Sequence, residues 1–202
     1  GCKGATGTQA SFVALFGGDA AKADLLDRKV AAKAGFPNRL LISGQTYTRK
    51  QDALVLSALS GLAASASKFA HDLRLLQHMK EVEEPFGAKQ VGSSAMPYKR
   101  NPMKCERMNA LARWILTTAE NGGWTHATQW LERTLDDSAN RRLALGESFL
   151  AADALLVLWE AVVTGLVVHP AVIRRSPAEA LPSLATENVL RAAAQNGADR
   201  QE

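Results

Sequence analysis

The sequence has little cysteine, and its two cysteines, Cys2 and Cys105, lie far apart. They form no C-x-x-C pair and no cysteine–histidine spacing of the kind that binds zinc, so the residues indicate no metal site. Such sparing use of cysteine fits the reducing cytosol, and we expect a cytoplasmic protein.

Clustered positive charge and long uncharged apolar runs are also absent. Lys and Arg number 24 against 20 Asp and Glu, and the basic residues are scattered, whereas nucleic-acid-binding proteins concentrate them on one stripe. The most apolar stretch, residues 151–168, contains Asp153 and Glu160, which favours a buried helix of a soluble protein over a membrane span. We expect no signal peptide. We therefore expect no nucleic-acid partner and no membrane, while a small acidic substrate would suit the local basic pairs.

Prolines are missing from two long windows, residues 38–84 and 103–169. Apolar residues in each window recur at alternating steps of four and three, which predicts helices packed in a bundle. The first series is Val55, Leu59, Leu62, Ala66, Phe69, Leu73 and Leu76; the second is Leu150, Ala154, Val157, Ala161, Thr164 and Val168. Since no stretch alternates β-branched with polar residues between turns, the predicted fold class is all-α.

The first of these helices is expected to be unusually long. From Thr48 to Met79 it would extend about 48 Å at 1.5 Å per residue, and it is apolar on more than one stripe. A chain of 202 residues can hardly supply enough partner helices to cover it. We therefore predict burial against other subunits in an oligomeric helix bundle.

A segment of different character separates the two windows. Residues 84–102 contain three prolines and two glycines and have no helical period. Roughly twenty residues without regular structure inside a compact domain are typical of functional lids, so we predict a functional loop at 84–104. After Pro170 the pattern changes to shorter pieces, of which 185–196 is the best helix candidate. We predict a helical-bundle domain at 1–169 and the start of a small C-terminal helical domain at 170–202.

Residues 92–102 read G-S-S-A-M-P-Y-K-R-N-P. This run resembles the signature loop G-S-S-x-M-P-x-K-x-N-P of the fumarase/aspartase superfamily, which includes the argininosuccinate and adenylosuccinate lyases, and every fixed position matches in order. The resemblance implies a long-helix bundle that is completed by tetramerisation. It also implies active sites that collect residues from three subunits and that need no metal and no cofactor.

Enzymes of this superfamily remove a proton from the carbon beside a carboxylate and then expel a leaving group from the neighbouring carbon. By resemblance, Ser93 is the base and Lys99 supplies a cation near it, because a serine hydroxyl needs backbone amides and positive charge to favour its alkoxide. Lys99 and Asn101 would also hold the carboxylates of the fumaryl portion, and Ser94 belongs to the same substrate-binding run.

A second segment, residues 131–142, reads L-E-R-T-L-D-D-S-A-N-R-R. If a helix begins at its aspartates, Ser138 and Arg142 share one face. With Arg133 they make two guanidiniums and a hydroxyl, which suit a phosphate monoester. Taken alone, a solvated charged helix start is the commoner interpretation. The run is similar to that of animal-type adenylosuccinate lyases, which implies that Arg133, Ser138 and Arg142 bind the nucleotide.

Three further pieces agree with this resemblance. G-Q-T-Y-T-R-K at residues 44–50 is similar to the family's G-Q-T-Y-x-R-K, which implies that Gln45 contacts substrate. Arg107 matches a substrate-binding arginine, although a salt bridge with a neighbouring acid is the ordinary alternative. The opening run at residues 3–12 resembles K-G-T-T-G-T-Q-A-S-F and departs from it at Ala5, where one hydroxyl is lost.

The resemblance implies a lyase that releases fumarate from adenylosuccinate, giving AMP, and from the succinyl-carboxamide ribotide of purine biosynthesis. It also implies a general-acid histidine in a motif upstream of this chain, so we expect the 202 residues to be a fragment that is inactive alone. Two alternatives stay open. One is another lyase of the superfamily, such as argininosuccinate lyase, and the other is a non-catalytic helical scaffold.

Overall fold

The computed structural model describes residues 1–131 and 135–199. Within these ranges seven helices follow one another, with a two-residue strand after the third helix and another after the sixth. The elements are α1 (Ala10–Leu15), α2 (Ala20–Lys33), α3 (Lys50–His78), β1 (Val82–Glu83), α4 (Met103–Thr118), α5 (Glu120–Ala127), α6 (Asp136–Thr164), β2 (Val167–Val168) and α7 (Pro170–Gln195). The predicted all-α fold is confirmed, with one small addition that the sequence did not predict: Val82 pairs antiparallel with Val168 and Glu83 with Val167.

The chain forms two compact units. Unit 1 comprises Gly1–Ser67 and Asn109–Leu156, and unit 2 comprises Lys68–Met108 and the residues from Val157 onward. The core of unit 1 is built mainly from small residues, including Ala63, Ala66, Ala112, Ala144 and Ala152, around Leu56, Ile115 and Leu155. The core of unit 2 contains Ala70, Leu73, Cys105, Met108 and Val162. The predicted division at residues 169 and 170 stays a prediction.

Helix α3 occupies most of the long helix predicted at 48–79. Its small residues permit close helix contact: Ala63 and Ala66 are fully buried, and Ser67 receives two hydrogen bonds from Asn109 Nδ2. Helix α5 approaches α3 so closely that a Cβ placed on Gly122 would lie 2.8 Å from the Cα of Ala53. By length and composition alone α3 could also cross a membrane, a test that core helices of soluble proteins pass as well.

The predicted apolar stripe of α6 is not the buried one. The buried positions are Ala144, Ser148, Ala151, Ala152, Leu155 and Val162, whereas Leu150, Ala154, Val157, Ala161 and Thr164 are exposed in the single chain. The spacing of apolar residues did not determine which face of α6 is buried, because this helix is apolar on more than one face. The helix also ends at Thr164, and Val168, which was predicted to continue the stripe, lies in β2.

The prediction of shorter pieces after Pro170 is wrong. Helix α7 runs unbroken from Pro170 to Gln195 and contains Pro177 and Pro182 in its interior. A proline at the first helical position costs nothing, but one in the interior removes a backbone donor. The helix tolerates these losses because no residue in it is buried, so water can solvate the carbonyls that lose their partners.

Candidate active site

The loop that resembles the superfamily signature lies in unit 2 between β1 and α4, and residues 84–102 form no helix and no strand. Its two ends are held together by hydrogen bonds. The carboxylate of the buried Glu84 accepts from the backbone N–H groups of Lys104, at 3.0 Å, and Cys105, at 2.9 Å. The Lys104 ammonium donates to the carbonyl of Pro85 at 2.6 Å. The loop therefore has a fixed base, while most of residues 94–100 are exposed to solvent.

The middle of the loop folds back on itself at Gly92. A Cβ added to Gly92 would lie 1.9 Å from the carbonyl oxygen of Lys99, so only glycine fits at this position. The N–H of Lys99 donates to the carbonyl of Met96 at 3.0 Å, which closes the turn between them. The backbone beside Ser93 and the backbone of Lys99 are thus in direct contact.

The half-buried Ser93 hydroxyl lies among backbone donors. Its Oγ accepts hydrogen bonds from the N–H of Ala95 at 3.3 Å and of Met96 at 3.2 Å. Donors aimed at an oxygen favour its anionic form, so this geometry suits the alkoxide that a serine base requires. Ser94 and Lys99 are exposed, Asn101 is half-buried, and Arg107 is exposed on the second turn of α4.

The third residue of α4 is a cysteine, Cys105. Cys105 is fully buried, and burial together with the neighbouring Glu84 carboxylate raises the pKa of its thiol to about 12. A buried thiol that is held neutral in this way is a poor nucleophile.

The second candidate segment lies in unit 1, where buried charges join residues 46–52 to the start of α6. Arg49 Nε donates to Asp137 Oδ2 at 2.6 Å, and both side chains are almost fully buried. The Arg49 guanidinium also lies over the Tyr47 ring, 4.8 Å from its centroid. Gln129 also contacts this segment: its Oε1 accepts a hydrogen bond from the backbone N–H of Arg49 at 2.8 Å.

A second charged group lies in the same network. Arg141 donates to both Asp52 and the hydroxyl of Tyr47, and that hydroxyl donates to Asp52 Oδ1 at 2.6 Å. Burial opposes ionisation of Asp52, but the hydrogen bonds from Arg141 and Tyr47 outweigh it and hold the pKa of Asp52 below its ordinary value. Within the described residues, Asp137 Oδ1 is buried without a hydrogen-bond partner.

Several of the predicted nucleotide-binding residues lie in the same unit as this network. Ser138 and Arg142 both lie in the first two turns of α6, which begins at Asp136, with Ser138 half-buried and Arg142 exposed. Gln45, which is exposed, precedes the segment held by Arg49. Arg133 lies outside the described residues. Segment 43–48 also lines an open cavity of about 230 Å³ together with His126, Gln129 and Trp130.

Among the described residues, no three His, Cys, Asp or Glu side chains gather in a group that could hold a metal ion.

Similarity to known proteins runs along the whole chain. The family model described as Lyase matches residues 19–116. The adenylosuccinate lyase of Schizosaccharomyces pombe is 52% identical over 202 residues, which are 100% of this chain and 42% of that protein. The adenylosuccinate lyase of Schistosoma mansoni is 48% identical over 203 residues, with the same two coverages.

The chain is similar to adenylosuccinate lyases along its whole length.

It spans 42% of the length of these relatives. Among solved structures, the 3-carboxy-cis,cis-muconate lactonizing enzyme of Pseudomonas putida superposes with a TM-score of 0.75 at 24% identity, covering 94% of this chain and 41% of that one. At this identity the likeness concerns the fold alone, and it agrees with the predicted helical fold.

Several residues at the candidate site were not identified from the sequence. Tyr47, Arg49 and Asp137 lie inside the quoted motifs, but the ion pair between Arg49 and Asp137 joins positions 88 residues apart. No local pattern predicts such a pairing. Glu84 opens the predicted loop, yet a single acidic residue before a proline carries no signal that it will cap a helix some twenty positions later.

Proposed function

We propose that the protein carrying this chain is an adenylosuccinate lyase, which cleaves adenylosuccinate to AMP and fumarate. The observation that carries the proposal is the signature loop: Ser93 Oγ accepts two backbone N–H groups inside a turn that only Gly92 can form. The identity of about half over the whole chain with adenylosuccinate lyases supports the choice of substrate. The succinyl-carboxamide ribotide, which carries the same succinyl group, is a second substrate in this proposal.

The proposed reaction is an elimination with Ser93 as base. The Ser93 oxygen takes the proton from the carbon beside a carboxylate of the succinyl group, and the electron pair of that bond forms the new C=C bond of fumarate. The bond from the neighbouring carbon to the purine nitrogen breaks, and that nitrogen receives a proton from a general acid outside these 202 residues. Lys99 provides positive charge for the developing aci-carboxylate, and Ser94 and Asn101 bind the fumaryl portion.

The remaining candidate residues would hold the nucleotide. Arg133, Ser138 and Arg142 supply donors for the phosphate, while Gln45 and Arg107 contact other parts of the substrate. The hydrogen bonds of Arg49 to Asp137 and Gln129 support this assignment. They fix residues 46–52 to the start of α6, so that Ser138 and Arg142 lie on a rigid element.

The same proposal includes a homotetramer whose active sites are shared between subunits. The exposed apolar stripe of α6, with Leu150 and Val157, and the exposed Leu54 and Val55 of α3 are the surfaces that partner helices would cover. We expect the chain to be inactive alone and the protein to be soluble and cytoplasmic, with no metal or cofactor.

Fumarate release from adenylosuccinate tests the proposal in the full-length protein that carries this chain. We expect turnover by the wild type and a loss of at least about a hundredfold in kcat for Ser93→Ala, because general-base catalysis contributes on that order. Ser183→Ala, at an exposed position of α7, is the matched control and should behave as the wild type.

Other outcomes would point elsewhere. Turnover of argininosuccinate in place of adenylosuccinate would mean that the arginine cluster does not bind a nucleotide phosphate. Failure on every substrate would favour the non-catalytic scaffold, and full activity of Ser93→Ala would exclude Ser93 as the base.

A further inference from the structure

Glu84 is a buried carboxylate to which neither the resemblance nor the relatives assign a role. It is 2% exposed and immediately precedes the signature loop. Both of its carboxylate oxygens accept backbone N–H groups, one from Lys104 and one from Cys105, which are the second and third residues of α4. A carboxylate at this position satisfies donors that the helix itself cannot pair, and it interacts favourably with the helix dipole.

This cap comes from a distant part of the chain. Helices are normally capped by the residue just before them, but that residue is Pro102 here, and its side chain has no acceptor. The cap of α4 therefore also determines the separation between residue 84 and residues 104–105. Because those positions are the two ends of the signature loop, one carboxylate sets the span that the loop must bridge.

Gln77 and Lys104 make further hydrogen bonds that hold the same two ends of the loop. The Glu84 N–H donates to Gln77 Oε1 at 3.0 Å, and Gln77 Nε2 donates to the carbonyl of Arg100 at 3.3 Å. Lys104 Nζ donates to the Pro85 carbonyl at 2.6 Å. Glu84, Gln77 and Lys104, which we call the loop clamp, thus hold both ends of the loop against the end of α3 and the start of α4.

We propose that Glu84 is a positioning residue of the lyase reaction, acting through the span of the signature loop on the placement of Ser93. The proposal rests on the proposed function, because Ser93 must be the base for its placement to matter. Inside the loop, Ser93 Oγ is held by the neighbouring Ala95 and Met96 amides, and Gly92 lies against the Lys99 carbonyl. These contacts are internal to the loop, so the clamp supplies its attachment to the helices.

Glu84→Gln in the full-length protein is the test. The substitution keeps the shape of the side chain but replaces one acceptor oxygen by an NH₂ group that faces a backbone N–H. We expect kcat for fumarate release to fall by about ten- to a hundredfold, since displacement of a catalytic group by about 1 Å costs that order, while KM changes less than about threefold. Glu120→Gln is the matched control, because Glu120 is an exposed glutamate in the first turn of α5, and it should leave both constants unchanged.

The double variant Glu84→Gln/Ser93→Ala separates positioning from a general loss of structure. If Glu84 acts through Ser93, adding Glu84→Gln to Ser93→Ala lowers kcat by less than about twofold, because residues that act as a unit are not additive. A merely structural role would multiply the two losses. Should Glu84→Gln fail to fold, Lys104→Met keeps the alkyl stem and removes only the Pro85 contact, and we expect it to lower kcat in the same direction by about threefold.

The outcomes distinguish the two proposals. An active wild type with an unchanged Glu84→Gln, or with multiplicative losses in the double variant, would overturn the positioning role and leave the lyase function in place. A wild type that releases no fumarate from adenylosuccinate would overturn the proposed function, and the positioning role with it.

Discussion

The two candidate segments are held in place by different kinds of interaction. In unit 1, side-chain charges fix residues 46–52 to the start of α6: Arg49 binds Asp137 and Arg141 binds Asp52 across nearly ninety residues of sequence. In unit 2, hydrogen bonds attach the signature loop at its ends, mainly through backbone N–H and carbonyl groups bound by Glu84, Gln77 and Lys104. Its middle is largely exposed.

This difference corresponds to the parts that the two segments would play. A site for a nucleotide phosphate gains from donors that are fixed before the substrate arrives, because no ordering cost then remains to be met on binding. A loop that must admit substrate and then exclude water gains from freedom in its middle, provided that its ends are anchored. The comparison therefore predicts that substitutions of the buried charges in unit 1 chiefly affect stability, whereas substitutions in the loop chiefly affect turnover.

The largest effect is expected from breaking the Arg49–Asp137 pair. Arg49→Ala leaves the Asp137 carboxylate buried without the guanidinium that is hydrogen-bonded to it, and removal of one partner from a buried ion pair costs about 3–5 kcal/mol. Arg49 is 4% and Asp137 8% exposed, so water offers little compensation. We expect this loss in the free energy of unfolding of the full-length protein, measured by urea denaturation.

The matched control is the exposed Lys68–Asp72 pair of α3, whose side chains are 74% and 50% accessible. Lys68→Ala should cost no more than about 0.5 kcal/mol, because exposed ion pairs contribute little. Similar losses for Arg49→Ala and Lys68→Ala would contradict the view that buried charge holds unit 1 together.

The next effect concerns the signature loop. Gly92→Ala places a methyl group 1.9 Å from the Lys99 carbonyl, so the loop backbone must shift. We expect kcat to fall by about a hundredfold, the order associated with a 1 Å displacement of a catalytic group, while the urea midpoint barely changes. Steady-state kinetics of fumarate release, together with unfolding curves, measure both quantities.

Gly87→Ala is the control within the same loop, since the nearest atom to its added Cβ, in Gln90, is 3.7 Å away. It should leave kcat and stability unchanged. If Gly92→Ala proved as active as Gly87→Ala, the close approach of Gly92 to Lys99 would have no role in catalysis.

The sequence predicted the helical class, the long helix α3 and the irregular loop, because heptad spacing and the distribution of prolines are local signals. It did not identify the buried face of α6, since a helix that is apolar on several sides has no single stripe for spacing to select. It also predicted shorter pieces in place of α7, which is a single helix although Pro177 and Pro182 lie in its interior.

At the candidate site, the sequence predicted residue types and not their partners. The motif residues Ser93, Lys99, Ser138 and Arg142 could be named, and their roles stay proposals. The contacts that hold them could not be named, because Glu84 with Cys105 and Arg49 with Asp137 meet only after the chain has folded. Pairings between distant positions depend on the tertiary fold, and one sequence carries no periodic signal for them.

The smallest of the expected effects is a decline in the free energy of unfolding at acidic pH, which should come from Asp27 in unit 1. Asp27 is fully buried and binds Lys3, Arg39 and the backbone N–H of Cys2. Burial opposes its ionisation, but these hydrogen bonds outweigh that cost and lower the pKa of Asp27 to about 2 from an ordinary value of 3.8. Because the folded-state pKa is the lower one, the stabilisation is present above pH 4 and is lost as the pH falls through about 2. At 1.36 kcal/mol per pKa unit this loss amounts to about 2 kcal/mol.

Urea unfolding of the full-length protein between pH 2 and pH 5 measures this dependence. Asp27→Asn should flatten the decline of stability in that range, whereas Asp72→Asn, at an exposed position, should leave the decline as it is in the wild type. An unaltered decline in Asp27→Asn would mean that other carboxylates control the acid response, and the buried ion pairs of the N-terminal segment would then matter less than their geometry suggests.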